Sequence, residues 1–153
     1  MHKPLRIEVA DPERAAHLIV ASDQYMSALY PAESNHFESI EALRLSNVRF
    51  LVGYCADRIA ACGAVRIMED DGRYGEIKRV FVPESQRGNG FSTAIMDALE
   101  SHLREIGVPI ARLETGISQP EALGLYRKRG YTERAAFGKY CHDPLSVFME
   151  KHL

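Results

Sequence analysis

Apolar and polar positions alternate over residues 5–9, which is the pattern of a strand with one buried face. Asp11-Pro12-Glu13 follows and is typical of a helix start, with an N-capping Asp, a Pro in the first turn and an acid at the helix N-terminus. Pro31 ends this predicted helix. Its expected core-facing stripe is Leu18, Ser22, Tyr25, Met26 and Leu29.

The sequence pattern in the middle of the chain predicts one short helix and three strands. The helix is expected over residues 40–45, after a polar loop at 31–36. Three segments rich in apolar residues then follow, joined by the turns Ala56-Asp57-Arg58 and Asp70-Asp71-Gly72. These segments, residues 48–55, 59–68 and 74–82, indicate an antiparallel meander.

The second half of the chain alternates helices with strands. A helix is expected over residues 90–106, where Gly107 and Pro109 mark its end. Its apolar face consists of Phe91, Ile95, Leu99, Leu103 and Ile106. The remaining predicted elements are a strand at 111–115, a helix at 120–129 that Gly130 ends, and strands at 131–134 and 147–151.

An antiparallel meander followed by a strand-helix-strand crossover predicts an α/β (α+β) protein. Its central sheet is expected to be mixed and mostly antiparallel, with helices on both faces. The 153 residues, 46% of them hydrophobic and 26% charged, match the size and composition of one globular domain over residues 1–153.

Charge and cysteine content narrow the class of protein. A net charge of −2 argues against a nucleic-acid partner, since counterion release needs a dense cationic surface. No apolar run approaches the length that spans a bilayer, and the start lacks the apolar region of a secretory signal. Three cysteines without CxxC spacing are read as reduced thiols. We therefore expect a cytoplasmic protein without a membrane partner.

A glycine-rich turn separates a predicted strand from a predicted helix. Such a turn lets backbone N–H groups converge, and the helix N-terminus behind it adds partial positive charge. Arg87 stands at its mouth, so the turn is suited to a phosphate or pyrophosphate. It is neither a Walker A loop nor a dinucleotide fingerprint. Its residues are Arg87, Gly88, Asn89, Gly90, Phe91 and Ser92.

This turn resembles the Gln/Arg-x-x-Gly-x-Gly/Ala motif of the GNAT superfamily of N-acetyltransferases, matched by Arg87, Gly90 and Ser92. The segments 75–83, 113–116 and 120–131 also resemble this family, and the element order is the GNAT order. Two positions depart from the pattern: Ser92 replaces Gly or Ala, and Gln119 stands where many members have Asn.

The resemblance implies acetyl-CoA as co-substrate and a small-molecule amine as acceptor. No metal is expected, because the adjacent residues Cys141, His142 and Asp143 are not spaced to converge on one ion and no second ligand cluster is spaced for zinc. The resemblance also implies that the strand before the turn splays from its neighbour, which frees backbone groups of Val80, Phe81 and Val82 for the pantetheine arm. With these, the glycine-rich turn, Gln119, Ala122 and Tyr126 are the expected cofactor-binding residues. The family also contains many homodimers.

Two residues are candidates for the proton transfers that amine acetylation requires. Glu76 occupies the position of a catalytic glutamate in some GNAT members, although an ion pair with Lys78 or Arg79 would also explain a carboxylate there. Tyr126 matches the family tyrosine that protonates the leaving thiolate, while a packed core tyrosine is the alternative.

By resemblance, the acceptor binds between the loop at 31–36 and the loop at 137–145. Glu33, Asn35 and His36 are the candidate acceptor contacts, with His36 also an alternative base. Glu114 either orients a substrate or is a paired surface carboxylate. The charge of the acceptor stays open, as do two alternative functions: an acyl-CoA sensor with little catalysis, and a protein or peptide acetyltransferase.

Overall fold

A computed structural model describes residues 3–153, and within them seven strands and four α-helices form in the predicted order. The helices are α1 (Ala16–Leu29), α2 (Ile40–Leu43), α3 (Phe91–Glu105) and α4 (Pro120–Lys128). The strands are β1 (Arg6–Val9), β2 (Val48–Cys55), β3 (Arg58–Met68), β4 (Tyr74–Phe81), β5 (Ile110–Gly116), β6 (Thr132–Arg134) and β7 (Ser146–His152).

The strands form one sheet in the order β1-β2-β3-β4-β5-β7-β6. All neighbours are antiparallel except β4 and β5, which are parallel because α3 carries the chain back across the sheet. The predicted mixed, mostly antiparallel sheet is confirmed. Strand β7 lies between β5 and β6, so the last strand of the chain is not at the sheet edge.

Helices α3 and α4 cover one face of the sheet. The predicted apolar face of α3 is confirmed at Phe91, Ile95, Leu99 and Leu103, which are at most 2% exposed. Ile106 is an exception at 37% exposed, because it lies beyond the last turn of the helix. This packing fixes the start of α3, and with it the glycine-rich turn, against the end of β4.

Helices α1 and α2 cover the opposite face, where Leu18 and Leu43 pack on Phe50 and Val52 of β2. The prediction that the whole α1 stripe faces the core is wrong. Leu29 is 36% exposed, and the three central residues of the stripe, Ser22, Tyr25 and Met26, line a cavity over β4 and β5.

None of the helices within residues 3–153 combines the length and the apolar character that crossing a membrane requires.

Candidate active site

Strands β4 and β5 pair over only three residues and then separate. The register runs Gly75 with Ala111, Glu76 with Arg112 and Ile77 with Leu113, whereas β4 continues to Phe81. The expected splay is therefore confirmed. Beyond Ile77, the edge of β4 that faces β5 has backbone groups free of ladder hydrogen bonds, and such groups need other partners.

A β-bulge shapes the same end of β4. Arg79 has a φ of 58°, and the register with β3 shifts between Cys62 and Ala64. The Arg79 guanidinium holds this conformation by donating to the carboxylate of Asp23 in α1 and to the carbonyl of Glu38. The bulge inserts an extra residue, so the side chains of β4 change face at the point where the two strands part.

A cavity of about 130 Å³ lies between α1, the segment that follows it and the separated strands. Its polar wall is formed by side chains from both strands, from the loop before α2 and from the loop before β7. These side chains are Asn35, His36, Glu38, Glu76, Lys78, Glu114, Tyr140 and Ser146. The cavity therefore brings together groups from four separate parts of the chain.

Glu76 is 4% exposed and lies in the wall of this cavity. Its Oε2 accepts a 2.6 Å hydrogen bond from the Tyr140 hydroxyl and lies 3.1 Å from Lys78 Nζ. Burial raises the pKa of Glu76, while the Tyr140 hydrogen bond opposes that rise. A carboxylate whose pKa is raised toward neutrality is suited to accept a proton.

Lys78 connects Glu76 to the loop before α2. Its Nζ lies 2.9 Å from Glu38 Oε2, and it also donates to the Tyr140 hydroxyl. Burial lowers the pKa of Lys78 to about 8. Glu76 is therefore ion-paired, as the alternative interpretation expected. Its partner is Lys78 and not Arg79.

Glu114 faces the same cavity from β5. Its Oε2 accepts a 2.8 Å hydrogen bond from Ser146, and burial raises the pKa of the carboxyl. None of the ion pairs formed among residues 3–153 involves Glu114. The interpretation of Glu114 as a paired surface carboxylate is wrong.

Tyr126 lies where the cavity meets an elongated groove. It is 9% exposed and packs edge-on against Tyr131, with 5.9 Å between ring centroids. Burial raises the pKa of Tyr126 to about 12. Cavity and groove are continuous because both are lined by Tyr25, Val80, Phe81, Gln119 and Tyr126.

The groove has a volume of about 480 Å³ and runs along the N-terminus of α3. Gly88 and Gly90 have φ values of 83° and 78°, a conformation that disfavours side-chain-bearing residues. Arg87 Nε donates to the Val82 carbonyl at 3.0 Å, and its guanidinium lies 5.2 Å from the Tyr25 ring centroid. Within the described chain, the groove contains most of the predicted cofactor-binding residues: Val80, Phe81, Val82, Arg87, Gly88, Gly90, Phe91, Ser92, Gln119, Ala122 and Tyr126.

Three of the predicted cofactor-binding residues also have structural partners. Asn89 is not among the groove-lining residues, and its Nδ2 closes the turn on the Gln86 carbonyl at 2.9 Å. Phe91 has its side chain in the core. Gln119 lies at the start of α4, where its Oε1 accepts from the Tyr30 hydroxyl at 3.2 Å.

Two of the three predicted acceptor contacts line the cavity. Asn35 and His36 are in its wall, and the His36 ring lies edge-on to Tyr140 at 5.1 Å. Glu33 is exposed on a short 3-10 turn and is not among the lining residues. Ser34 joins the two predicted acceptor loops by donating a 2.7 Å hydrogen bond to Asp143.

Tyr140 and Glu38 are residues of this site that sequence reasoning did not single out. Tyr140 lies inside the predicted acceptor loop, but nothing in the local pattern connects it to Glu76. For Lys78 a signal existed, because Glu76 and Lys78 are two residues apart on one strand and therefore share a face.

The family model described as "Acetyltransferase (GNAT) family" matches residues 15–131. An IAA acetyltransferase of Azospirillum brasilense is 40% identical over 141 residues, which cover 92% of each chain. A solved Klebsiella pneumoniae structure, whose name refers to an acyl-CoA N-acyltransferase, is 34% identical with a TM-score of 0.81 over 97% of each chain. The chain belongs to the GNAT family and is an acetyltransferase.

A more distant structure has the same fold. The PaiA N-acetyltransferase of Thermoplasma acidophilum, solved in complex with coenzyme A, is 16% identical with a TM-score of 0.75. It covers 98% of this chain and 99% of its own.

Proposed function

We propose that this acetyltransferase uses acetyl-CoA to acetylate the amine of a small molecule. The observation that carries the proposal is that Glu76 and Tyr126 line one small cavity at the split between β4 and β5. A proton acceptor and a proton donor on either side of a reacting centre are what acyl transfer to an amine needs.

The groove beside α3 fits acetyl-CoA. Gly88 and Gly90, with positive φ values, form a tight turn at the N-terminus of a 15-residue helix, and the free backbone N–H groups of a helix N-terminus are a favourable place for a pyrophosphate. The freed backbone of Val80 and Phe81 would pair with the pantetheine arm, and the PaiA structure of the same fold was solved with coenzyme A. When bound, acetyl-CoA supplies an activated thioester.

The chain's own residues supply the proton transfers. Glu76 accepts the proton of the acceptor amine as the new N–C bond forms, and Tyr126 provides a hydroxyl proton as the C–S bond breaks. A free N–H at the splayed end of β4 stabilises the developing oxyanion.

Burial makes Tyr126 a weak acid. With a pKa of about 12 against about 8.5 for an ordinary thiol, full proton transfer from Tyr126 is uphill by about 5 kcal/mol. Tyr126 therefore acts first by donating a hydrogen bond to the departing sulfur, which stabilises negative charge before the proton moves.

The size of the acceptor cavity favours a small molecule over a peptide. About 130 Å³ is well below the roughly 300–1,000 Å³ of pockets that hold drug-sized ligands. A second candidate acceptor comes from the Azospirillum brasilense relative, whose name gives IAA, so IAA belongs in any acceptor panel.

Three further expectations accompany this proposal. We propose that residues 1–153 form one domain, because one sheet crosses the described chain from β1 to β6. We also propose a cytoplasmic location, which cell fractionation would test, and a homodimer, which sedimentation of the purified protein would test.

Thermal unfolding with acetyl-CoA tests the co-substrate, with ATP and NAD as controls. Ligand at about 100 times its Kd adds about 2.7 kcal/mol of stability. For a domain of this size the midpoint should rise by about 5–11 °C. Thiol release in the presence of amines then tests catalysis. A shift without thiol release would favour the acyl-CoA sensor, and no shift would remove acetyl-CoA from the proposal.

A further inference from the structure

The cations of the acceptor cavity are already engaged by the protein itself. Lys78 contacts Glu76, Glu38 and the Tyr140 hydroxyl, and Arg79 is held by Asp23 and the Glu38 carbonyl. Neither side chain is free to pair with an anionic acceptor without breaking these contacts. The positive groups of the cavity thus hold its shape.

The groups that remain available are hydrogen-bond acceptors. Glu114 is a half-buried carboxylate with one hydrogen bond, from Ser146, and no ion pair within residues 3–153, although Lys78 favours its charged form from a greater distance. Asn35 lines the same cavity, and its Oδ1 is buried without a hydrogen-bond partner. A carboxylate that is partly removed from water without an ion pair is costly, and an unpartnered carbonyl oxygen adds to that cost.

The balance of negative and positive side chains around the cavity also favours a cationic ligand. Three carboxylates, at Glu38, Glu76 and Glu114, line the cavity against the two cations Lys78 and Arg79, and Arg79 is itself paired with Asp23. The amine to be acetylated must be neutral when it attacks, and the proton that it loses as the N–C bond forms goes to Glu76. Glu114 then still has no ion pair among residues 3–153.

Glu114 and Glu76 share one face of the sheet. Glu76 pairs with Arg112, and Glu114 is two residues further along β5, so its side chain emerges on the same face roughly 7 Å further along the strand. A four-carbon chain separates two amine nitrogens by a similar length.

Building on the proposed function, we propose that Glu114 and Asn35 form a subsite for a second, protonated nitrogen of the acceptor. The substrate class is thus a short aliphatic diamine, of which one nitrogen is acetylated beside Glu76 and the other stays charged beside Glu114.

Binding to the enzyme in the presence of coenzyme A tests this subsite without depending on turnover. Calorimetric titrations would compare three compounds of equal chain length: butane-1,4-diamine, butylamine and 4-aminobutanoate. The diamine should bind at least about tenfold more tightly than butylamine, equivalent to about 1.4 kcal/mol and beyond the statistical factor of two for its identical ends. The aminobutanoate should bind most weakly, because its carboxylate would face Glu114.

Variants assign the preference to Glu114. In Glu114→Gln the ratio of diamine to butylamine affinity should fall toward one, whereas Glu114→Asp should retain most of it. Glu133→Gln removes an exposed carboxylate outside the cavity and should leave the ratio unchanged. Equal affinity of the wild type for diamine and butylamine, or a preference for 4-aminobutanoate, would overturn the subsite.

Turnover of the same compounds tests the proposed function and the diamine subsite separately. Acetylation of butylamine as efficiently as the diamine would retain the proposed function and reject the subsite. Tight, Glu114-dependent diamine binding without acetylation of any amine would retain the subsite and reject the proposed function.

Discussion

The Tyr140 hydroxyl donates a 2.6 Å hydrogen bond to Oε2 of Glu76, which joins two residues 64 positions apart in the chain. Because Lys78 donates to the same hydroxyl and also contacts Glu76, the three side chains form a closed triangle in the cavity wall. The triangle ties the loop before β7 to β4. The proton affinity of the candidate base therefore depends on a loop that is also proposed to contact the acceptor.

Tyr140→Phe should move the pH dependence of catalysis to higher pH. The Tyr140 hydrogen bond stabilises charged Glu76 and lowers its pKa, so its removal raises that pKa further above the ordinary value. Activity is present above the Glu76 pKa and lost below it, so the acid limb of kcat/KM should shift upward. A hydrogen bond to a charged group of about 1.5–3 kcal/mol corresponds to about one to two pH units. An unchanged acid limb would show that the Tyr140 hydrogen bond does not set the pKa of the catalytic base.

Glu76→Gln should lower kcat by about 10²- to 10⁴-fold, since it removes a general base while keeping the shape of the side chain. The stabilisation by acetyl-CoA in thermal unfolding should persist, because Glu76 lies in the acceptor cavity and not among the groove-lining residues. Unchanged kcat in a folded variant would exclude Glu76 as the base and leave His36 as the next candidate.

Tyr126→Phe should reduce turnover and leave acetyl-CoA affinity nearly intact. Within residues 3–153 the Tyr126 hydroxyl makes no side-chain hydrogen bond, and burial alone shifts its pKa, so its loss should cost little stability. Tyr131→Phe is the matched control. Its hydroxyl donates to Glu100 at 2.9 Å, so the variant should lose about 1.5–3 kcal/mol of stability with turnover kept. Parallel loss of affinity and turnover in Tyr126→Phe would refute the acid role.

Arg87→Ala should raise the KM for acetyl-CoA by about tenfold, because a charge-assisted contact at the mouth of the glycine-rich turn is lost. The kcat should change little, as Arg87 lines the groove and is not among the residues that line the acceptor cavity. Arg127→Ala is the control, since Arg127 is exposed, pairs with Glu133 and should leave KM unaltered. Steady-state kinetics over a range of salt concentrations measure this, and the wild-type KM should rise more steeply with salt than that of Arg87→Ala.

Local sequence patterns determined most of the architecture. The i, i+4 spacing on α3 predicted the four side chains that became buried, and Gly88 and Gly90 marked a turn whose φ values are positive. The splay of β4 followed from resemblance and not from periodicity. On α1, helical periodicity was correct while the interpretation of the face was wrong, because periodicity cannot distinguish a core from a cavity lined by the same residue types.

The sequence by itself determined the order of elements, the family and the position of the glycine-rich turn, because these depend on neighbours a few residues apart. Only the tertiary structure decided the left-handed backbone conformation of Arg79. No glycine in the sequence predicted a positive φ there, and contacts with Asp23 and Glu38 in other segments hold it. The tertiary structure alone also brought the Tyr140 hydroxyl to Glu76 and left Glu114 half-buried without an ion pair. Such contacts depend on side chains brought together by sheet register and loop packing, and one-dimensional spacing carries no record of them.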